Sequence, residues 1–156
     1  MSYKFFKSEY TPTGLTEKVG GNITSVELSG YLGELFPHQY AYPIESTGAV
    51  IQYRKLFIKN TYTSSSTETK IWLDAQHVSN QIAVAVQVNQ SGTGNYQNPP
   101  SGLNGWYYPT TYGNGVSLGT LAPNASTGIW LRQTLSGVET SNPYTSLRLY
   151  VGGVVE

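Results

Sequence analysis

The chain has 156 residues, enough for one domain with a sizeable core, and no cysteine, which excludes disulfides and thiolate metal sites. Nine basic residues balance nine acidic ones, and charged residues make up 12% of the chain against about 25% in typical domains. So little charge argues against binding nucleic acid by phosphate neutralisation, and no stretch approaches the ~18 apolar residues of a membrane-spanning helix.

Residues 1–45 are weakly patterned. The N-terminal Met-Ser-Tyr-Lys-Phe-Phe-Lys lacks the apolar centre of a signal peptide. Tyr10-Thr-Pro-Thr-Gly14 and Val19-Gly-Gly-Asn22 are turn signals, Ile23 to Leu28 reads as a short strand, and Gly30 to Phe36 as one helical turn stopped by Pro37. The apolar residues here are too few for an independent core. The region is therefore expected to be an N-terminal arm or lead-in to a domain over 46–156.

Strand patterning begins near residue 50. In Gln52–Asn60, alternation puts Leu56 and Ile58 on one face and Tyr53, Phe57 and the lysines on the other. Thr61 to Thr67 is a polar turn. Next, Ile71, Leu73 and Ala75 oppose Trp72 and Asp74. In Gln81–Val88, Ile82, Val84, Val86 and Val88 oppose Ala83 and Ala85, the cleanest alternation in the chain. Residues 89–115 then form an excursion rich in Gly, Asn and Pro. At this length it exceeds an ordinary loop, and Tyr96, Trp106, Tyr107, Tyr108 and Tyr112 argue for order. Strands return at Val116–Leu118, at Thr127–Thr134 with Ile129 and Leu131 inward, and at Thr145–Val151 with Leu147, Leu149 and Val151 inward. The fold class is all-β, an antiparallel sandwich of immunoglobulin-like or jelly-roll-like type with an N-terminal arm and one long loop excursion.

The opposite parity carries Phe57, Trp72, Trp130 and Tyr150 with Lys55, Arg132 and Arg148 among them. A solvated sheet face is mostly polar, so this one needs a cover, supplied either by the chain itself or by a neighbour. The candidate interface residues are Phe57, Trp72, Trp130, Arg132, Arg148 and Tyr150, with Tyr96, Trp106, Tyr107, Tyr108 and Tyr112 of the excursion. The thirteen tyrosines among small polar residues suit a contact surface as well as they suit strands.

No constellation of catalytic residues is visible. His38 and His77 are the only histidines, and neither has a carboxylate or a second His at ligand spacing. Asp74 is the only aspartate, and Glu34 and Glu45 have no evident carboxylate partner. Gly14, Gly20 and Gly21 are not followed by Gly-Lys-Ser or Gly-Lys-Thr, and Gly113-Asn-Gly115 opens no helix. Neither an enzyme nor a cofactor site is expected.

Four segments carry a resemblance: Tyr53-Arg-Lys-Leu-Phe-Ile-Lys-Asn-Thr61, Lys70-Ile-Trp-Leu73, Leu118-Gly-Thr-Leu-Ala-Pro-Asn124 and Gly128-Ile-Trp-Leu-Arg-Gln-Thr134. Over residues 50–152 the chain resembles a family of tailed-phage virion proteins with an immunoglobulin-like β-sandwich. It departs from that pattern at Asn124, where the family often has Gly, and at Gln133, where it often has Arg. Asn suits a turn that needs a positive φ. The resemblance implies a non-enzymatic structural component of a virion. The expected role is a capsid decoration (cement) protein on the outer surface of the shell, with the major capsid protein as partner and a homotrimer as assembly. No nucleic acid or membrane contact is expected. A tail, neck or baseplate component is the alternative. A carbohydrate-binding module stacking sugars on Trp106, Tyr107 and Tyr108 is a third reading.

Overall fold

The computed structural model describes residues 2–10, 19–36, 50–74, 80–86, 99, 105–135 and 147–156. Within them the strands are β1 (Tyr3–Tyr10), β2 (Gly20–Leu28), β3 (Val50–Asn60), β4 (Ser66–Leu73), β5 (Asn80–Val86), β6 (Val116–Leu121), β7 (Ser126–Leu135) and β8 (Leu149–Val155). One 3-10 turn, Leu32–Glu34, follows β2. A five-stranded sheet of order β2-β1-β3-β7-β5 faces a three-stranded sheet of order β6-β4-β8, all pairs antiparallel. The chain is an all-β sandwich.

The inward parity read from the sequence is the core. Leu56, Ile58, Val84, Ile129 and Leu131 of the larger sheet pack against Ile71, Leu73, Leu121, Leu147 and Leu149. The β3–β7 ladder runs without a bulge from Val50↔Leu135 to Lys59↔Ser126, so both strands keep their alternation along the whole contact.

Residues 3–10 and 20–28 of the expected N-terminal arm or lead-in are strands of the larger sheet. β1 lies inside the larger sheet, paired to β3 from Tyr3↔Asn60 to Lys7↔Leu56, and β2 forms the edge beyond it. Phe5, Leu28, Leu32, Leu35 and Phe36 all belong to the core. The sequence hid this because only Phe5 and Ser8 of β1 are buried, three residues apart, and the β1–β2 pairing shifts register on both sides of Ser8. A strand held by backbone hydrogen bonds, with a broken alternation, leaves little trace in residue type.

Isolated bridges join the two sheets at both edges. On one side the Val84 N–H donates to the Tyr107 carbonyl at 2.7 Å, the Tyr107 N–H donates back at 3.2 Å, and the Leu73 N–H donates to the Pro109 carbonyl at 3.0 Å. The end of the expected excursion therefore crosses from β5 to β4. On the other side the Leu149 N–H reaches the Gly30 carbonyl at 2.8 Å and the Leu32 N–H reaches the Leu147 carbonyl at 3.0 Å. Both potential edges are partly closed, which limits pairing with other chains.

Asn60 ties together the opposite end of the sandwich. Fully buried, its Nδ2 donates toward the carbonyls of Leu121 (2.8 Å), Ser64 (3.0 Å) and Ala122 (3.3 Å), and its Oδ1 accepts from the Tyr62 N–H at 2.9 Å. Its backbone pairs with the β6–β7 turn, through Asn60 N–H to the Ala125 carbonyl and Asn124 N–H to the Asn60 carbonyl, both at 2.9 Å. The neighbouring Thr61 holds Ser2 through backbone and hydroxyl contacts. Asn124 has φ 61, the left-handed conformation expected for the residue standing in place of Gly. Replacing Asn60 by Ala would leave buried carbonyls without donors. It is expected to cost about 3 kcal/mol, a fall in Tm of roughly 6–12 °C for a chain of this size, measured by calorimetry. A Tm within two degrees of wild type would show that Asn60 is not the tie.

Candidate functional site

The aromatic parity expected to form one face is divided between the two sheets, and the two parts differ in exposure. On the outer face of the larger sheet Phe57 and Trp130 are fully buried. Trp130 packs with Ala83, Ala85 and Trp106, and Tyr53 and Val19 lie against the same cluster. Trp106, expected as an interface residue, is thus part of the cover, at 5.8 Å from the Tyr53 ring. Arg132 is only 8% exposed, with its guanidinium 4.8 Å from the Trp106 ring centre. For Phe57 and Trp130 the cover comes from this chain.

Lys55 shares this face and is buried as well. Its Nζ donates to the Gly21 carbonyl at 3.0 Å and sits 4.9 Å from the Phe57 ring and 5.9 Å from that of Trp130. Gly128 makes room for it: a Cβ there would stand 2.9 Å from Lys55 Cε and 3.2 Å from the Phe57 ring. Desolvation lowers the Lys55 pKa below its ordinary value, and Glu9 partly opposes the shift.

The outer face of the smaller sheet is a ladder of rings and cations. Trp72 and Tyr150 are register partners on β4 and β8, with ring centroids 5.9 Å apart and planes 16° from parallel. Tyr112 meets Trp72 edge-on at 5.6 Å. Lys70 lies 4.9 Å from the Tyr112 ring. At the other end, Arg148 lies 5.8 Å from the Tyr150 ring and 5.2 Å from that of Tyr31. Tyr31, Tyr150 and Tyr112 are 41%, 40% and 37% exposed, respectively. The bare Gly152 lets Trp72 lie across β8, since a Cβ there would be 3.1 Å from the indole.

Local chemistry holds the ladder in place. The Asn114 Oδ1 accepts from the N–H groups of Thr110 (2.9 Å) and Thr111 (2.8 Å), folding the turn that presents Tyr112. The Tyr112 hydroxyl donates to the Glu68 carbonyl at 2.9 Å. Asp74 accepts the Arg148 N–H at 3.0 Å, and the Glu34 carboxylate accepts the Ser29 N–H at 3.0 Å. Both acids therefore brace the segments that carry Arg148 and Tyr31. Among the described residues the one ion pair is Lys4–Glu27, so neither Lys70 nor Arg148 is paired with a carboxylate.

The structure thus brings together Trp72, Tyr112, Arg148 and Tyr150, and separately Phe57, Trp106, Trp130 and Arg132. Tyr107 and Tyr108 are exposed at the seam between the sheets. Tyr96, His38, His77 and Glu45 lie outside the described residues. Sequence reasoning missed Tyr31, whose role depends on the bridge to Arg148, and the buried Arg54. Extending the alternation from Leu56 by two residues would have placed Arg54 inward. Its Nε donates to the Leu35 carbonyl at 2.8 Å and its guanidinium covers Phe36 at 5.1 Å.

Gly115-Val-Ser-Leu-Gly119 has the spacing of a hydrolase nucleophile elbow, another feature the sequence reasoning missed. It enters β6 without the strand–turn–helix context such an elbow needs, and the Ser117 Oγ accepts the Gly119 N–H at 3.2 Å. A cleft of about 480 Å³ beside it has Val86, Gly105, Tyr107 and residues 114–117 among its lining. Among the described residues no group of three His, Cys, Asp or Glu is placed to hold a metal ion, and no helix is long and apolar enough to cross a membrane.

Comparison with protein-family models, curated proteins and solved structures returns no match for this chain.

The lowered Lys55 pKa gives a pH signature. Below its folded value Lys55 is protonated in both states, and the folded state bears the whole desolvation cost. Between that value and the unfolded one near ~10.4 the unfolded chain binds more protons, so stability rises with pH. The stability of wild type relative to Lys55→Met is expected to rise from pH 7 to pH 10 in urea titrations. A difference that is flat or falling over that range would contradict the assignment.

Proposed function

We propose that this chain is a non-enzymatic structural protein that works by surface contact, as a capsid decoration (cement) protein of a tailed-phage virion. The observation that carries the contact reading is the exposed ladder on the smaller sheet, Tyr31, Arg148, Tyr150, Trp72, Tyr112 and Lys70. Tyr, Trp and Arg are the residues that dominate binding energy at protein interfaces. The virion assignment rests on the resemblance at residues 53–61, 70–73, 118–124 and 128–134. In this reading the ladder docks on the major capsid protein across a capsomer boundary, as part of a homotrimer. Binding to the assembled shell alone stabilises that shell by mass action.

A tail or baseplate component would use the same surface at low copy number. The sugar-binding reading changes location. Trp106 is buried, whereas the exposed Tyr150 lies near-parallel to the half-buried Trp72 with cations beside the pair.

Two measurements separate these readings. Virions of the source phage should contain the chain at a copy number close to that of the major capsid protein. A few copies per particle would indicate the tail, and absence would defeat the virion assignment. Separately, Tyr150→Ser combined with Arg148→Ala should lower uptake by purified shells at least tenfold (about 1.4 kcal/mol), with Tm changed by less than about 4 °C. Unchanged uptake would remove the ladder from the contact. Glycan binding lost in the same variant would favour the sugar reading.

A further inference from the structure

The buried cluster on the larger sheet contains more hydrogen-bond donors than acceptors. Arg132 Nε, Trp106 Nε1 and Trp130 Nε1 are all buried and have no hydrogen-bond partner among the described residues. Native interiors leave few such groups, and each one calls for an explanation, an unseen ion or water among them. An indole N–H donates only, and a guanidinium has five donors and no acceptor, so these side chains cannot satisfy one another. Among the described residues Arg132 has no carboxylate beside it, and its one hydrogen bond runs from Nη2 to the Tyr108 hydroxyl at 3.3 Å. Lys55 adds a second buried cation on the Trp130 ring.

We infer that this cluster is a binding site for an oxyanion, a carboxylate or a phosphoryl or sulfate group, held by the Arg132 guanidinium. The planar fork of Arg132 matches two oxygens of such a group. The Tyr108 hydroxyl accepts from Arg132 and so keeps its own proton to donate to the same ligand. Tyr108 is exposed and forms the rim through which the anion arrives. The aromatic wall excludes water, which strengthens the attraction. This site is separate from the contact ladder, and it stands whether or not the chain decorates a capsid.

Trp106 and Trp130 make the site readable by fluorescence once the third tryptophan is removed by Trp72→Phe. That protein is titrated with sodium phosphate, sulfate and acetate at constant ionic strength, with chloride as the balancing salt. A saturable change in emission and a rise in Tm are expected. Arg132→Gln should abolish saturation, Arg132→Lys should weaken binding about tenfold because it keeps the charge but loses the fork, and Tyr108→Phe should weaken it severalfold. Tighter binding of phosphate or sulfate than of acetate assigns the ligand to those groups. Acetate as tight or tighter assigns it to an acidic side chain of a protein partner. No saturable response up to tens of millimolar, or an equal response in folded Arg132→Gln, overturns the inference and leaves the donors to water. Should Arg132→Gln fail to fold, the surface variant Tyr108→Phe decides in the same way: undiminished affinity overturns the site as described.

Discussion

The sandwich depends on the buried amide of Asn60. β3 belongs to the larger sheet and β4 to the smaller, and β6 and β7 are divided in the same way, so the chain crosses between layers twice at this end. Asn60 stands where the two crossings meet. Its Nδ2 serves carbonyls on both of them, while Thr61 beside it anchors Ser2. Carbonyls leaving two sheets at a layer junction have no strand partner, and a buried one without a donor is costly. One side chain with a two-hydrogen donor and an acceptor resolves the junction, and apolar packing between the sheets can then proceed.

This gives the four quoted motifs a physical meaning. Asn60 and Thr61 close the first motif, Leu121 to Asn124 form the turn that Asn60 grips, and Gly128 of the last motif opens room for Lys55 over Phe57. These residues build the frame. The ladder draws only Trp72 and Lys70 from the motifs. Its other members, Tyr31, Tyr112, Arg148 and Tyr150, come from segments that the resemblance does not quote. A resemblance carried by frame residues speaks to fold more than to partner, because function resides in sites carried on folds.

The two outer faces show one sequence pattern with two outcomes. Trp130 is sealed beneath Trp106 and Phe57 beneath Lys55, while Tyr150 meets solvent beside the half-buried Trp72, with Arg148 and Lys70 at their flanks. Sealing the larger sheet also confines donors and cations that water would otherwise satisfy. Leaving the smaller sheet open keeps flat rings available for contact. The difference arises from the segment at 105–115, which lays Trp106 on one sheet and Tyr112 on the other as it crosses the seam.

The sequence by itself determined the inward parity, Leu56 and Ile58, Ile71 and Leu73, Ile129 and Leu131, Leu147 and Leu149, because strand alternation is local and apolar burial acts on each residue type directly. It also marked Asn124 for a positive φ. Only the tertiary structure decided that β1 is a sheet strand and not an arm, that Phe57 and Trp72 belong to different sheets, and that Tyr31 joins the ladder while Trp106 is buried. Strands choose their neighbours through backbone N–H and C=O groups, which nearly every residue carries alike, so the pairing leaves little trace in side-chain type. Which aromatic is covered depends on that pairing.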